Sequence, residues 1–194
     1  MNYLEVEKVL RRACRLAEMA KNAKGTGVSW SCVFPDGERT TYILNEIKTR
    51  EELEDQIFNA FIWFWNFKDY LKALLEKQGK NPDRIEKLVN NDIKLALCAD
   101  IANSLKHGAL TRSRSGMFPK LDSIGYTFPQ NTIKKITIRG PEIELDFQNH
   151  AEIEIKMAIL DSSKNVVGQA LDYLAYGIGV WEKEFEAIKQ DGGG

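Results

Sequence analysis

A chain of 194 residues, with 43% hydrophobic and 28% charged side chains, is long enough to bury a full core and excludes extended disorder. Its 27 basic and 28 acidic residues nearly cancel, so a nucleic-acid site would have to be a local basic patch. The sequence has no apolar run of membrane-spanning length and no N-terminal signal segment, which predicts a cytoplasmic protein without a membrane partner.

The cysteines and the absence of several well-known motifs disfavour some enzyme classes. Cys14, Cys32 and Cys98 lie far apart and form no Cys-x-x-Cys pair, so we predict packed, reduced thiols and not a zinc site or disulfide framework. The chain has no glycine-rich phosphate loop, no metal-ligand spacing and no nucleophile elbow. The sequence therefore predicts no cofactor, and it disfavours a triphosphatase, a zinc enzyme and a serine hydrolase.

The first element in the chain is a predicted amphipathic helix over residues 4–24, with apolar side chains on one side at about 100° per residue. Lys8, Arg11, Arg12 and Arg15 lie on the opposite side. This basic face fits either a solvated helix surface or a surface that contacts phosphates. Under the second interpretation, the three arginines are candidate nucleic-acid contacts.

A β-hairpin is predicted after this helix. Gly25 and Gly27 end the helix, and residues 28–34 and 40–44 have the composition of strands. The segment Pro35-Asp36-Gly37-Glu38 between them is typical of a tight turn.

The second long helix is predicted over residues 50–78, with Thr49 as its N-cap, and it has two apolar stripes. A helix that is apolar on two sides is either central in the fold or part of a subunit interface. The second stripe consists of Phe58, Ile62 and Trp65 and ends at Asp69. These four residues are the predicted interface with a second copy or a protein partner.

A third long helix is predicted over residues 83–107, with Gly108 as its end. Its inward stripe begins apolar and becomes polar toward the C-terminus, where Asp100, Asn103 and His107 share one face. Buried polar groups need hydrogen-bond partners. The cluster therefore predicts either a satisfied internal network or a functional site.

The functional interpretation joins this cluster to the arginine- and serine-rich loop that follows it. Histidine is suited to proton transfer near neutral pH, and arginine stabilises the charge that develops on a phosphodiester. The predicted catalytic group is His107, Asn103, Asp100, Arg112 and Arg114, with Lys106 as a further nucleic-acid contact. The structural alternative is that Asp100 and Asn103 satisfy each other or cap a neighbouring strand, while His107 offsets the helix dipole.

The remainder of the chain predicts a small sheet and a last helix. After an irregular stretch to about residue 130, a three-stranded antiparallel meander occupies residues 132–139, 142–147 and 152–160. Residues 161–163 are predicted to cap the last long helix. The predicted fold class is α+β: a bundle of four long helices with a small antiparallel meander and an N-terminal hairpin. We expect one domain over residues 1–194, with the sheet inserted at about 132–160 and a flexible tail at 190–194.

The motif Asn103-Ser104-Leu105-Lys106-His107 near the end of a long helix resembles the HEPN superfamily of helical-bundle domains. The resemblance implies metal-independent RNA cleavage, often by a dimer that pairs two copies of the motif, in toxin–antitoxin or phage-defence systems. Some members have lost catalysis and bind RNA or serve as scaffolds. The sequence departs from the family at Ala102, where the family has arginine. Either Arg112 or Arg114 substitutes from the loop, or the chain is not a nuclease of that type.

Two other functions fit the sequence. The first is a non-catalytic interaction subunit, such as an antitoxin-like or scaffold protein, which would use the second apolar stripe of the 50–78 helix. The second is a small-molecule sensor with a pocket between sheet and bundle, with Asp69 and Asp100 as polar anchors.

Overall fold

Five α-helices, two short 3₁₀ turns and seven strands are present in residues 1–191, which are the residues that this computed structural model describes. The helices are α1 (Tyr3–Lys21), α2 (Arg50–Lys77), α3 (Asp83–Asn90), α4 (Ile93–His107) and α5 (Ala170–Asp191). The strands are β1 (Val28–Val33), β2 (Arg39–Leu44), β3 (Lys120–Thr127), β4 (Ile133–Arg139), β5 (Glu142–Phe147), β6 (Glu154–Leu160) and β7 (Val166–Gln169). The α+β class is confirmed. The predicted bundle of four long helices with one small meander is wrong, because the strands form two sheets of four and three strands.

The first two helices follow their sequence patterns closely. The apolar side of α1 is buried, as predicted, at Val6, Val9, Leu10, Ala13, Ala17 and Ala20. At the start of α2 the Thr49 hydroxyl accepts the backbone N–H of Glu52 at 3.1 Å, and the Glu52 carboxylate accepts the N–H of Thr49 at 2.8 Å. This reciprocal cap satisfies two donors that the first turn of a helix leaves without partners.

The predicted third long helix is divided into α3 and α4. Asn91 ends α3, and Asp92 adopts an extended backbone with φ −121° and ψ 110°. The Asp92 carboxylate accepts the N–H groups of Lys94 and Leu95 at 2.9 and 3.1 Å, and so caps a new helix. Hydrophobic periodicity does not show this break, because the apolar spacing continues across it.

The four-stranded sheet has the order β1-β2-β5-β4. The predicted hairpin is confirmed, since β1 and β2 pair antiparallel from Val28 opposite Leu44 to Val33 opposite Arg39. The first two strands of the predicted meander, β4 and β5, also pair antiparallel. Between these pairs, β2 and β5 run parallel, with residues 41–44 opposite residues 142–145.

The third predicted strand of the meander belongs to a different sheet, whose order is β3-β6-β7. The strand β3 lies in the stretch that was expected to be irregular, and β7 lies where the last helix was expected to begin. That helix starts only at Ala170, because Asp161 does not cap it. The Asp161 side chain instead accepts the N–H groups of Ser163 and Asn165, both at 2.8 Å, and stabilises the turn between β6 and β7.

The chain divides into two compact units. Unit 1 contains residues 1–20, 56–123 and 157–191, and its core holds a group of interlocking rings: Phe64, Phe67, Trp181 and Phe185. Unit 2 contains residues 21–55 and 124–156 and includes the whole four-stranded sheet. The expectation of one domain stays a prediction. Of the predicted flexible tail, residues 190 and 191 are the last residues of α5, and residues 192–194 lie outside the described residues. Within residues 1–191, no helix combines the length and the apolar character needed to cross a bilayer.

Two glycines of α5 give a matched test of how tightly unit 1 is packed. A Cβ atom added at Gly177 would lie 2.5 Å from a ring carbon of Phe64, whereas one added at Gly179 would meet nothing within 4 Å. We expect Gly177→Ala to lower the free energy of unfolding by about 1 to 3 kcal/mol through overpacking. Gly179→Ala should raise it by about 0.5 to 1 kcal/mol through helix propensity. Urea unfolding of both variants checks the contrast, and equal effects would contradict the packing of α5 on Phe64.

Candidate functional site

Asp100 is the centre of the predicted polar cluster, and it is fully buried in α4. Its Oδ1 atom accepts the backbone N–H of Arg114 at 2.8 Å. Its Oδ2 atom accepts the hydroxyl of Ser113 at 2.6 Å, and the N–H and hydroxyl of Ser115 at 2.9 and 2.8 Å. Asp100 thus anchors the loop after α4, and no hydrogen bond joins it to Asn103 or His107 among the described residues.

Arg114 lies within this anchored loop, and its side chain is directed toward α3. Its guanidinium forms an ion pair with Glu86 at 2.8 Å, donates to the Asn90 side-chain oxygen at 2.9 Å, and lies 5.2 Å from the ring centre of Trp65. Both contacts use the Nη1 atom of Arg114, and the side chain is 30% exposed. Arg114 is therefore a structural cation whose position is set by Glu86, Asn90 and the Trp65 ring.

Besides Arg114, Glu86 forms ion pairs with two further cations, which stabilise its negative charge. Lys68 and Lys72 of α2 lie 3.2 and 3.1 Å from the same Oε1 atom. Burial raises the pKa of Glu86, but the hydrogen bonds from Lys72 and Lys68 and the charge of Arg114 outweigh burial and lower it to about 2. This ion-pair cluster connects α2, α3 and the loop after α4. The sequence does not reveal this cluster, because its members are distant in the chain.

Lys106 lies at the end of α4, where its ammonium group donates a hydrogen bond to the Asn66 side chain of α2. Burial lowers the pKa of Lys106 and the charge of Lys68 adds to this effect, while the Asp69 carboxylate opposes it. The predicted nucleic-acid contact is thus partly engaged with α2.

Three predicted site residues have no side-chain partner within residues 1–191. His107 and Arg112 are exposed and Asn103 is half-buried, and none of the three side chains forms a hydrogen bond or ion pair there. Gly108, with φ +78°, ends the helix directly after His107. The structure therefore leaves an imidazole, a carboxamide and a guanidinium accessible on α4 and on the loop that Asp100 anchors.

Ala102, at the position where the resemblance to the HEPN superfamily would place an arginine, is fully buried. An arginine placed there would enter a packed interior. With Arg114 held by Glu86, Arg112 is the loop arginine that remains available for a phosphate.

The predicted basic face of α1 is partly neutralised. Arg11 pairs with Glu7 at 2.7 Å, and the Arg12 guanidinium lies 4.3 Å from the ring centre of Trp63. Arg15 is exposed and has no ion pair among the described residues. These arginines stay candidate nucleic-acid contacts, with Arg15 the most accessible to a phosphate.

The second apolar stripe of α2 is less open than its sequence indicates. Trp65 is only 4% exposed, because Lys68 and Arg114 cover its ring at 4.4 and 5.2 Å from the ring centre. Phe58 and Ile62 are half-buried, and Asp69 is exposed and pairs with Lys68 at 3.1 Å. An interface on this face stays a prediction, and Trp65 offers little surface to it.

The part of the chain that the structure describes contains no group of three or more His, Cys, Asp or Glu side chains arranged to hold a metal ion. Comparisons of the chain with protein-family models, with curated proteins and with solved structures find no match.

Proposed function

We propose that this chain is an HEPN-like protein that binds RNA at the C-terminal end of α4. The observation that carries the proposal is that His107, Asn103 and Arg112 are accessible and have no hydrogen-bond or ion-pair partner within residues 1–191, while the Asp100 carboxylate is fully engaged and Arg114 is held by Glu86. Phosphate oxygens are the ligands that a free guanidinium and an imidazole bind well.

The anchoring of the loop supports the proposal energetically. Asp100 holds the backbone at Arg114 and Ser115, so Arg112 is two residues from a fixed point and loses less conformational freedom on binding. A guanidinium held close to a fixed backbone and an imidazole at the end of the preceding helix are both groups suited to recognising a phosphodiester. Lys106, at the same helix end, adds positive charge nearby.

Cleavage is the second part of the proposal, with His107 as the group that moves a proton. The imidazole would take the proton of a ribose 2′-hydroxyl, and that oxygen would attack the adjacent phosphorus. The 5′-oxygen would leave with a proton from a second acid, forming a 2′,3′-cyclic phosphate and a 5′-hydroxyl end. One copy supplies one histidine at this position, so a second copy is the proposed source of the acid.

Binding and cleavage are tested separately with a fluorescent single-stranded RNA of twelve nucleotides in EDTA. We expect Arg112→Ala to weaken binding about fivefold or more and to reduce the salt slope by about 0.7, as loss of one phosphate contact does. Arg139→Ala, an exposed arginine of β4, is the matched control and should leave the affinity unchanged. Equal affinities of wild type and Arg112→Ala would contradict RNA binding at this site.

The cleavage assay uses the same RNA, with the products resolved on a denaturing gel. We expect His107→Ala to abolish product formation while retaining most of the binding. If product forms equally in wild type and His107→Ala, the catalytic part is wrong. If neither protein forms product but Arg112→Ala still weakens binding, the chain is a non-catalytic RNA-binding member of the proposed type, which the burial of Ala102 favours.

A further inference from the structure

One cavity in unit 2 has the chemistry of a nucleobase site. It has a volume of about 420 Å³, and we call it the Trp30 pocket. Its lining consists of Trp30, Tyr42, Leu44, Arg50, Gly125, Tyr126, Phe128 and Leu145. Pockets for small ligands in proteins typically measure about 300 to 1,000 Å³ and are mainly apolar with a few polar groups. The size and the lining of this cavity match that description.

The aromatic walls are held in place by their neighbours. Trp30 and Tyr42 lie opposite each other in the β1–β2 pair, and their rings stack at 5.6 Å with an angle of 22°. The Tyr126 hydroxyl donates to the Lys48 carbonyl at 2.8 Å. Phe128 packs edge-on against Phe147 at 4.9 Å. These walls need little rearrangement to receive a planar ring, and stacking on such rings does not depend on the identity of a base.

Arg50 is the charged group of the pocket. It is the first residue of α2, is exposed, and forms no hydrogen bond or ion pair within residues 1–191. Its charge acts on the neighbouring Tyr126, whose pKa burial nevertheless raises to about 12. A free guanidinium beside aromatic rings disfavours a quaternary ammonium ligand, which aromatic cages otherwise bind, and favours a ring that carries an anion.

A neighbouring cavity, also of about 420 Å³, indicates what is attached to the ring. It shares Trp30 and Arg50 with the first cavity and is also lined by Thr49 and Glu51. The Glu51 carboxylate disfavours a doubly charged phosphate monoester more than a singly charged diester, and it can accept a ribose hydroxyl. A sugar linked to a phosphodiester suits this combination of charges.

We infer that the Trp30 pocket binds a nucleobase joined to a phosphodiester, with the base against the aromatic walls and the phosphate on Arg50. The source is either a nucleotide within single-stranded RNA or a free cyclic nucleotide. In the RNA case the inference rests on the proposed function and names a base-binding site for it. In the case of a free nucleotide the inference does not depend on the proposed function.

The test follows the four tryptophan indole signals of the ¹⁵N-labelled full chain by NMR. The probes are hexa-adenylate RNA and 3′,5′-cyclic AMP, and the Trp30 signal is assigned by its loss in Trp30→Leu. We expect the Trp30 signal to shift with at least one probe, and Arg50→Ala to weaken that binding about tenfold. Arg39→Ala, an exposed arginine of β2 outside the pocket, is the matched control and should bind like wild type. The three other indole signals report whether each variant is folded.

The outcomes separate this inference from the proposed function. A shift of the Trp30 signal with RNA would identify the ligand as a nucleotide within single-stranded RNA. A shift with cyclic AMP alone would identify it as a free nucleotide. A shift that persists while Arg112→Ala leaves RNA affinity unchanged supports the pocket and contradicts the surface on α4. RNA binding that leaves Trp30 unmoved, with cyclic AMP also without effect, overturns the pocket and leaves the proposed function standing. Equal affinities of Arg50→Ala and Arg39→Ala would overturn it as well.

Discussion

Replacing Asp100 with alanine will lower the free energy of unfolding by about 3 kcal/mol or more, because its buried carboxylate accepts hydrogen bonds from two serine hydroxyls and two backbone N–H groups. The alanine leaves those donors without their acceptor, and the position of the lost carboxylate is itself fully buried. Urea unfolding followed by tryptophan fluorescence measures the loss. Hydrogen exchange should also be compared between Asp100→Ala and wild type. We expect the substitution to accelerate exchange at the amides of Arg114 and Ser115 more than at any amide of α4.

The matched control for this prediction is Asp122→Ala, which removes an exposed carboxylate of β3 and should change the free energy of unfolding by less than about 0.5 kcal/mol. Asp100→Asn gives a further check, because its amide nitrogen cannot accept a hydrogen bond. We expect its stability to lie between those of wild type and Asp100→Ala. A loss no larger than that of the control would mean that Asp100 does not anchor the loop.

Replacing Glu86 with glutamine will lower the free energy of unfolding by about 2 kcal/mol at pH 7, between the values typical of exposed and of buried ion pairs. Lys68, Lys72 and Arg114 would then face one another without the carboxylate that they share. Glu86 is 24% exposed, so solvent screens part of the interaction. Urea unfolding of wild type and Glu86→Gln measures the difference.

The pH dependence of that difference follows from the pKa of Glu86, which is lowered from an ordinary value of 4.5 to about 2 in the folded chain. A lowered pKa contributes stability that is fully present above pH 4.5 and is lost as the pH falls toward 2. The two proteins should therefore converge in stability as the pH is lowered to about 2. Glu154→Gln is the control, since Glu154 is 64% exposed and, within residues 1–191, pairs only with Lys156. A difference that stays constant with pH would contradict the cluster.

The local features of the fold could be predicted from sequence, and the pairings between distant strands could not. Apolar periodicity correctly placed the buried side of α1, and turn residues placed the β1–β2 hairpin. The sequence pattern misses the start of α4 at Asp92 and wrongly predicts a helix start at Asp161, and both errors have one physical cause. Both Asp92 and Asp161 use their side chains to accept nearby N–H groups, but only Asp92 starts a helix. The partner of β6 is β7, which lies where the last helix is predicted to begin, so the sequence pattern places β6 in the wrong sheet.

At the candidate site, sequence predicted which residues belong together but not how they are connected. Helical spacing placed Asp100 on an inward face, and Asp100 is buried. The sequence does not show that Ser113 and Ser115 satisfy this carboxylate, or that Glu86 holds Arg114. The Asp-x₁₂-Ser-x-Ser spacing does not by itself predict these hydrogen bonds, because a loop can bring many different residues to one carboxylate. The Trp30 pocket was missed because its walls come from four separate segments.

The parallel β2–β5 pair has a consequence for how the protein folds during synthesis. Unit 2 is built from residues 21–55 and 124–156, so its sheet cannot be completed until β5 has left the ribosome. Until then the β1–β2 hairpin presents an open strand edge, which is the surface through which unfinished sheets associate with other chains. Distant pairings of this kind also slow folding, because a long loop must close first. A nascent chain that stops before β5 should therefore be prone to aggregation, even though its hairpin has already formed.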